Sequence, residues 1–301
     1  MDYKIKDDIE LVKELLNISD NELVENLHID NNSLFLNDTI SLNHCNIFYD
    51  YAYKKGLHIN AIKSMFYIES YPNSKILFHG SKKGIVDKIS LSFGRKNNDF
   101  GIGFYCGETY QQPISLVSHY DNSSLYILEF KTEGLKQLKF DVDTSWMLSI
   151  AYFRGTLDKY TDHPIIKKII KKVNNADYII APIADNRMFK IIDTFINGEI
   201  TDEQCKHCLA ATNLGYQYVL VSNKAIEQVK ILEHCFICDL EKNDYLRKKE
   251  EDLLVSDEKV KSARIKYRGV GQYIDELLLW EKWILMGYCY VKCKQNYLKN
   301  H

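Results

Sequence analysis

Apolar residues recur at helical spacing over residues 8–16, 20–27, 31–36 and 43–56, which predicts a run of short helices. Ser19, followed three residues on by Glu22, predicts a capping box at the head of the second. The texture changes at Lys75. Short β-type runs then follow one another: KILFHGS (75–81), GFYCG (103–107), SLYILEFK (124–131), DYIIAP (177–182) and QYVLVS (217–222). Among them, 145–155, 163–173, 186–197 and 201–211 read as helices. Strands and helices do not alternate as in a doubly wound sheet, so the expected class is α+β. Farther on, 244–267 reads as a charge-rich helix, ended by Gly269 and Gly271. A second helix, 272–290, shows a broad apolar face with Leu277, Trp280 and Trp283, expected to pack on its own domain. The expected division is 1–70, 71–240 and 241–301.

Charge changes how the helical front is read. The 301-residue chain has a formal net charge of −2, but residues 1–45 hold three lysines against ten acids. The stretch NISDNELVENLHIDNNSLFLNDTISL resembles the Xre-type helix-turn-helix of phage-repressor-like regulators. That resemblance implies a second helix entering the DNA major groove. Yet residues 30–38, the recognition segment, contain no Lys or Arg to displace phosphate counterions. The expectation is a degenerate module serving interaction or regulation, with DNA binding disfavoured and a regulatory partner protein left open.

Compartment follows from what the N-terminus lacks. MDYKIKDDIELVKELL has no uninterrupted apolar run and no small-residue cleavage site, so it does not read as a signal peptide. The apolar stretch 277–291 is broken by Glu281 and Lys282 and is too short for a bilayer span. With eight cysteines and no secretory signal, the expectation is a cytoplasmic chain with reduced thiols and no membrane association.

Three motifs carry the candidate chemistry. They are Leu77-Phe78-His79-Gly80-Ser81, Asp99-Phe100-Gly101-Ile102-Gly103-Phe104-Tyr105, and Gln217-Tyr218-Val219-Leu220-Val221. In this order they resemble the diphtheria-toxin/poly(ADP-ribose) polymerase class of ADP-ribosyltransferases, in a bacterial branch that occurs with Xre-like segments. The resemblance implies a split β-sheet core with flanking helices, and NAD as substrate. It assigns His79 to the ribose hydroxyls, Gly80 and Ser81 to the nicotinamide amide, and Tyr105 to stacking on the nicotinamide ring. Gly101 and Gly103 would let the backbone bend under the dinucleotide. The spacing lacks the third glycine of a Rossmann fingerprint.

Gln217 stands where that class usually has Glu. Its amide can accept a hydrogen bond from the ribose 2′-hydroxyl but cannot serve as a general base. Mono-ADP-ribosyl transfer to a macromolecular acceptor and NAD hydrolysis both remain open, with Glu129 or Glu108 as alternative carboxylates. A role as a bacterial toxin or conflict-system effector is what the resemblance suggests. The competing class is a helix-turn-helix regulator with an inactive, nucleotide-sensing domain. In Ala181-Pro182-Ile183-Ala184-Asp185-Asn186-Arg187, Asn186 is a candidate helix cap. Arg187 is a candidate pyrophosphate ligand, weighed evenly against a salt-bridged surface residue. Arg95 is a weaker candidate of the same kind.

Cys205/Cys208 and Cys235/Cys238 form two CxxC pairs with His207 and His234 beside them, a pattern that suggests tetrahedral zinc. The first pair falls inside a continuous predicted helix, and the Gln217 strand lies between the pairs. No metal site is expected.

Overall fold

The structure, a computed structural model, describes residues 3, 5–36, 40–86, 88–211 and 214–278. Helix α1 (Ile5–Leu16) begins three residues before the predicted start, because Ile5, Ile9 and Val12 form one buried stripe. Helix α2 (Asp20–Leu27) opens on the predicted capping box. Glu22 N donates to Ser19 Oγ at 3.3 Å, and Ser19 N donates to Glu22 Oε2 at 2.8 Å. The helix expected over 31–36 is a short π-helical stretch, Asn32–Leu36. At its head Asp30 accepts from Ser33 N at 2.8 Å. The predicted 43–56 helix is α3 (Leu42–Lys54), followed by α4 (Ile59–Ser70).

Beyond α4 the chain runs through β1 (Lys75–Ser81), β2 (Phe104–Gly107), α5 (Gln111–Val117), β3 (Ser124–Phe130), β4 (Gln137–Lys139), α6 (Thr144–Arg154) and α7 (Pro164–Asn174). It continues through β5 (Tyr178–Pro182), α8 (Asn186–Ile196), α9 (Asp202–Ala210), β6 (Tyr216–Leu220), α10 (Asn223–Glu227), β7 (Val229–Phe236) and α11 (Asp239–Lys266). The architecture is α+β with a helical N-terminal region. Residues 274–278 are helical, and the rest of the predicted 272–290 helix lies outside the described residues. Among the described residues no helix is long and apolar enough to cross a membrane.

Two compact units share the chain. The first comprises residues 1–90, 104–135 and 222–253; the second comprises 91–103, 136–221 and 254 onward. In the first, β2, β1, β3 and β7 pair antiparallel in that order. Every residue of β3 is buried, which explains its apolar run Leu125–Leu128. Ile114 and Val117 of α5 pack with Ile76, Phe78, Leu125 and Ile127 of β1 and β3. A separate cluster gathers Ile9, Leu23, Leu34, Phe48 and Ala52 from the front helices.

Polar groups are also buried in this unit. Lys63 Nζ lies 2.7 Å from Asp8 Oδ2 and 3.2 Å from Glu233 Oε1. On α11, Glu241 accepts from Asn60 Nδ2 at 2.7 Å, and burial pushes its carboxyl up to about 7 from an ordinary 4.5. The folded chain therefore holds that proton more tightly than the unfolded one. The resulting stabilisation is complete below the unfolded value and is lost as pH rises through 7. Glu241→Gln keeps the acceptor and removes the titration. Urea unfolding should show a gain of about 2–3 kcal/mol at pH 8, shrinking below about 1 kcal/mol at pH 5.

In the second unit β4 pairs parallel to β5, and β5 pairs antiparallel to β6. Met188, Ile191, Ile192, Phe195 and Ile196 give α8 one buried stripe, as Ile166, Ile169, Ile170 and Val173 do for α7.

Candidate active site

In the first unit His79 lies on β1 with its ring stacked on Phe104 of β2, centroids 4.3 Å apart and planes inclined by 25°. Its Nδ1 is 2.8 Å from the carbonyl oxygen of Tyr105. A carbonyl can only accept, so Nδ1 carries the proton and Nε2 keeps its lone pair. Burial pushes the His79 pKa down against the opposing pull of that hydrogen bond, so the neutral ring is favoured. The result is a fixed tautomer whose Nε2 can accept from a hydroxyl.

What Tyr105 gives His79 is its backbone. Strand alternation turns the Tyr105 ring to the face opposite Phe104, the face on which Gly80 sits. Glycine at 80 has a packing cause. An added Cβ would lie 2.7 Å from the Pro113 carbonyl oxygen and 3.0 Å from Val117 Cγ1. At Gly107 it would lie 2.8 Å from Gln112 Oε1 and 2.9 Å from Pro113 Cδ. The two glycines let α5 rest on β1 and β2. Gly80→Ala should cost about 1–3 kcal/mol of stability, read by urea unfolding, because backbone rather than a flexible side chain stands in the way. Ser81 closes β1 opposite Ser124. Glu129 is opposite Ile76, toward the other end of β1 from His79, and accepts from Ser74 Oγ at 2.7 Å.

In the second unit Gln217 lies on β6, 7 % exposed. Its Nε2 donates to Asp99 Oδ2 at 2.8 Å and to the Pro182 carbonyl at 3.2 Å. Both partners only accept, which fixes the orientation of the amide and leaves Oε1 as its acceptor. Asp99 is buried and ion-paired with Arg154 at the end of α6, Nη2 to Oδ1 at 2.5 Å and Nε to Oδ1 at 2.9 Å. Arg154 Nη2 also reaches the Ala184 carbonyl at 2.8 Å, and its guanidinium lies over the Phe189 ring at 4.6 Å. Neither Asp99 nor Arg154 has a role in the sequence reading, although Asp99 heads one of its motifs.

Gly101 has φ +70°, and an added Cβ would sit 2.9 Å from Phe153 Cδ1. Gly103 closes the loop against Gly94, where an added Cβ would meet Gly103 N at 3.0 Å. Lys96, Phe100, Gly101, Phe153 and Val221 border an open depression of about 490 Å³. Arg95 is exposed.

The cap of α8 is Asp185, one residue before the predicted Asn186. Its Oδ1 accepts from Arg187 N at 3.0 Å and from Met188 N at 2.8 Å. A carboxylate at the cap also complements the positive helix end. Asn186 instead accepts from Arg154 Nη1 at 3.4 Å. Arg187 Nη1 lies 3.5 Å from Asp257 Oδ1.

The cysteines of the CxxC pairs are buried. Cys205 Sγ donates to the Ile191 carbonyl at 3.7 Å and Cys208 Sγ to the Val260 carbonyl at 3.8 Å. Burial raises all four thiols above their ordinary pKa and so disfavours the thiolate that a metal needs. Among the described residues no group of three or more His, Cys, Asp or Glu side chains could hold a metal ion.

The profile of a protein family matches residues 75–231, just over half of the chain; its description is "protein of unknown function (DUF3990)". The chain belongs to the DUF3990 family. No curated protein and no solved structure matches it. The DUF3990 segment begins at the first residue of β1 and ends inside β7. It contains His79, Tyr105, Asp99, Arg154 and Gln217, and leaves the front helices outside.

Proposed function

We propose that this DUF3990 protein is an NAD-dependent mono-ADP-ribosyltransferase acting on a macromolecular acceptor. The observation that carries this reading is the neutral imidazole of His79, its Nδ1 proton held by the Tyr105 carbonyl at 2.8 Å and its Nε2 left to accept. Ribose hydroxyls are the donors such an acceptor suits. The order of the three motifs along the chain supports the same assignment. The resemblance assigns the 2′-hydroxyl to Gln217, whose acceptor is Oε1, since its amide nitrogen donates to Asp99 and Pro182.

The bond between C1′ and nicotinamide breaks with its electron pair leaving on nicotinamide. The acceptor nucleophile bonds to C1′ and releases a proton. Positioning of the sugar and exclusion of water are what the protein contributes. Gln217 brings no negative charge, so the acceptor must lose its proton to a base of its own or to solvent.

The test is incubation of the purified protein with adenine-labelled NAD and cell lysate. Label on a macromolecule, with nicotinamide released in equal amount, is the expected result. Label recovered only as free ADP-ribose would make the protein an NAD glycohydrolase. Absence of both would remove the enzymatic reading.

A further inference from the structure

A carboxylate stands one hydrogen bond behind Gln217, and its two oxygens are divided between different partners. Asp99 Oδ1 takes Arg154 Nε at 2.9 Å and Nη2 at 2.5 Å. Oδ2 takes Gln217 Nε2 at 2.8 Å and the Ala184 N–H at 3.4 Å. Arg154 is tethered independently by the Ala184 carbonyl and Asn186. Because the guanidinium holds Oδ1, Oδ2 is the oxygen left for the amide. Two guanidinium N–H groups converging on Oδ1 hold that oxygen more firmly than a single donor would.

We infer that Arg154 and Asp99 are positioning residues for Gln217, and that this pair makes the neutral amide the side chain that position 217 requires. The functional half of the inference rests on the NAD reading above; the structural half does not. A glutamate at 217 would set two buried carboxylates about 2.8 Å apart, with the guanidinium already taken up by Asp99 Oδ1. One of them would have to take up a proton, or the strand would have to give way. The exchange of Glu for Gln relative to the resembled class is then no isolated loss. It is matched by a carboxylate on a neighbouring loop. Moving the charge back should need both changes together: Gln217→Glu with Asp99→Asn restores one carboxylate and one amide facing each other.

The experiment is thermal melting of the full chain as wild type, Gln217→Glu, Asp99→Asn and the double variant, at pH 5 and pH 8. Gln217→Glu should melt roughly 5 °C or more below wild type at pH 8, from the buried like charges. The deficit should shrink at pH 5, where proton uptake relieves them. The double variant should recover most of the loss. A Gln217→Glu protein that melts like wild type at both pH values, or a double variant whose loss is the sum of the single losses, would overturn the inference. The functional readout is NAD turnover. Asp99→Asn can present either atom to Gln217, so KM for NAD should rise on the order of tenfold with a smaller change in kcat, as expected when an orienting contact is lost. An unchanged KM in a folded Asp99→Asn variant would refute positioning. Melting curves that couple as described in a protein without any NAD turnover would instead refute the NAD reading and leave the pairing intact.

Discussion

His79→Ala should lower NAD turnover on the order of a hundredfold, the usual cost of removing one preorganised hydrogen-bonding group from a transition-state site. The Tyr105 carbonyl, 2.8 Å from Nδ1, forces the proton onto that nitrogen. Burial lowers the pKa of the ring from its ordinary 6.5, so the ring stays neutral at pH 7 and Nε2 accepts. Alanine keeps the strand and removes the acceptor. The ring also covers Phe104 at 4.3 Å, so part of any loss could come from packing. Circular dichroism and a melting curve on the variant separate the two. The pH profile gives an independent reading. Because the folded pKa is depressed, wild-type turnover should hold as pH falls through 6.5 and decline only below it, when Nε2 is protonated. A decline centred at or above 6.5 would contradict the assigned tautomer chemistry.

Arg154→Met should destabilise the chain by about 3–5 kcal/mol, the range seen when one partner of a buried ion pair is removed. Arg154 and Asp99 side chains are 16 % and 7 % exposed, so water cannot replace the guanidinium. Methionine preserves most of the stem against Phe189 and leaves the buried Asp99, among the described residues, to Gln217 and the Ala184 N–H. Guanidinium unfolding at pH 7 measures the loss. A loss below about 1 kcal/mol would mean that the pair behaves as a surface bridge does.

The parts of the fold that the sequence makes legible are those with strong local periodicity. The strands β1, β2, β3, β5 and β6 each contain a short apolar run, and Ser19 with Glu22 announces α2 within a residue. The element α5 is hidden because Pro113 stands at its third position, where it reads as a breaker. Neither β4, three residues long, nor β7 is foreseen. Lys230, Glu233 and His234 in β7 dilute its apolar signal, although its end, Cys235 and Phe236, is buried.

At the candidate site, His79, Tyr105 and Gln217 are visible as residues in motifs, but their neighbours are not. Asp99 and Arg154 are 55 positions apart, and Asp99 and Gln217 are 118 apart, so no local pattern couples them. Gly80 shows a cause of another kind: beside the ligand role that the resemblance implies, glycine there makes room for Pro113 of α5, which no local pattern announces. Asp185 and Asn186 were both capping types, and only the backbone geometry chooses between them.

The most direct test of the account is nicotinamide release from NAD by the purified chain, followed by chromatography and set against His79→Ala. The account predicts one nicotinamide for each ADP-ribose freed or transferred, falling on the order of a hundredfold in the variant. No release by the wild-type protein, or equal release by both proteins, would contradict it.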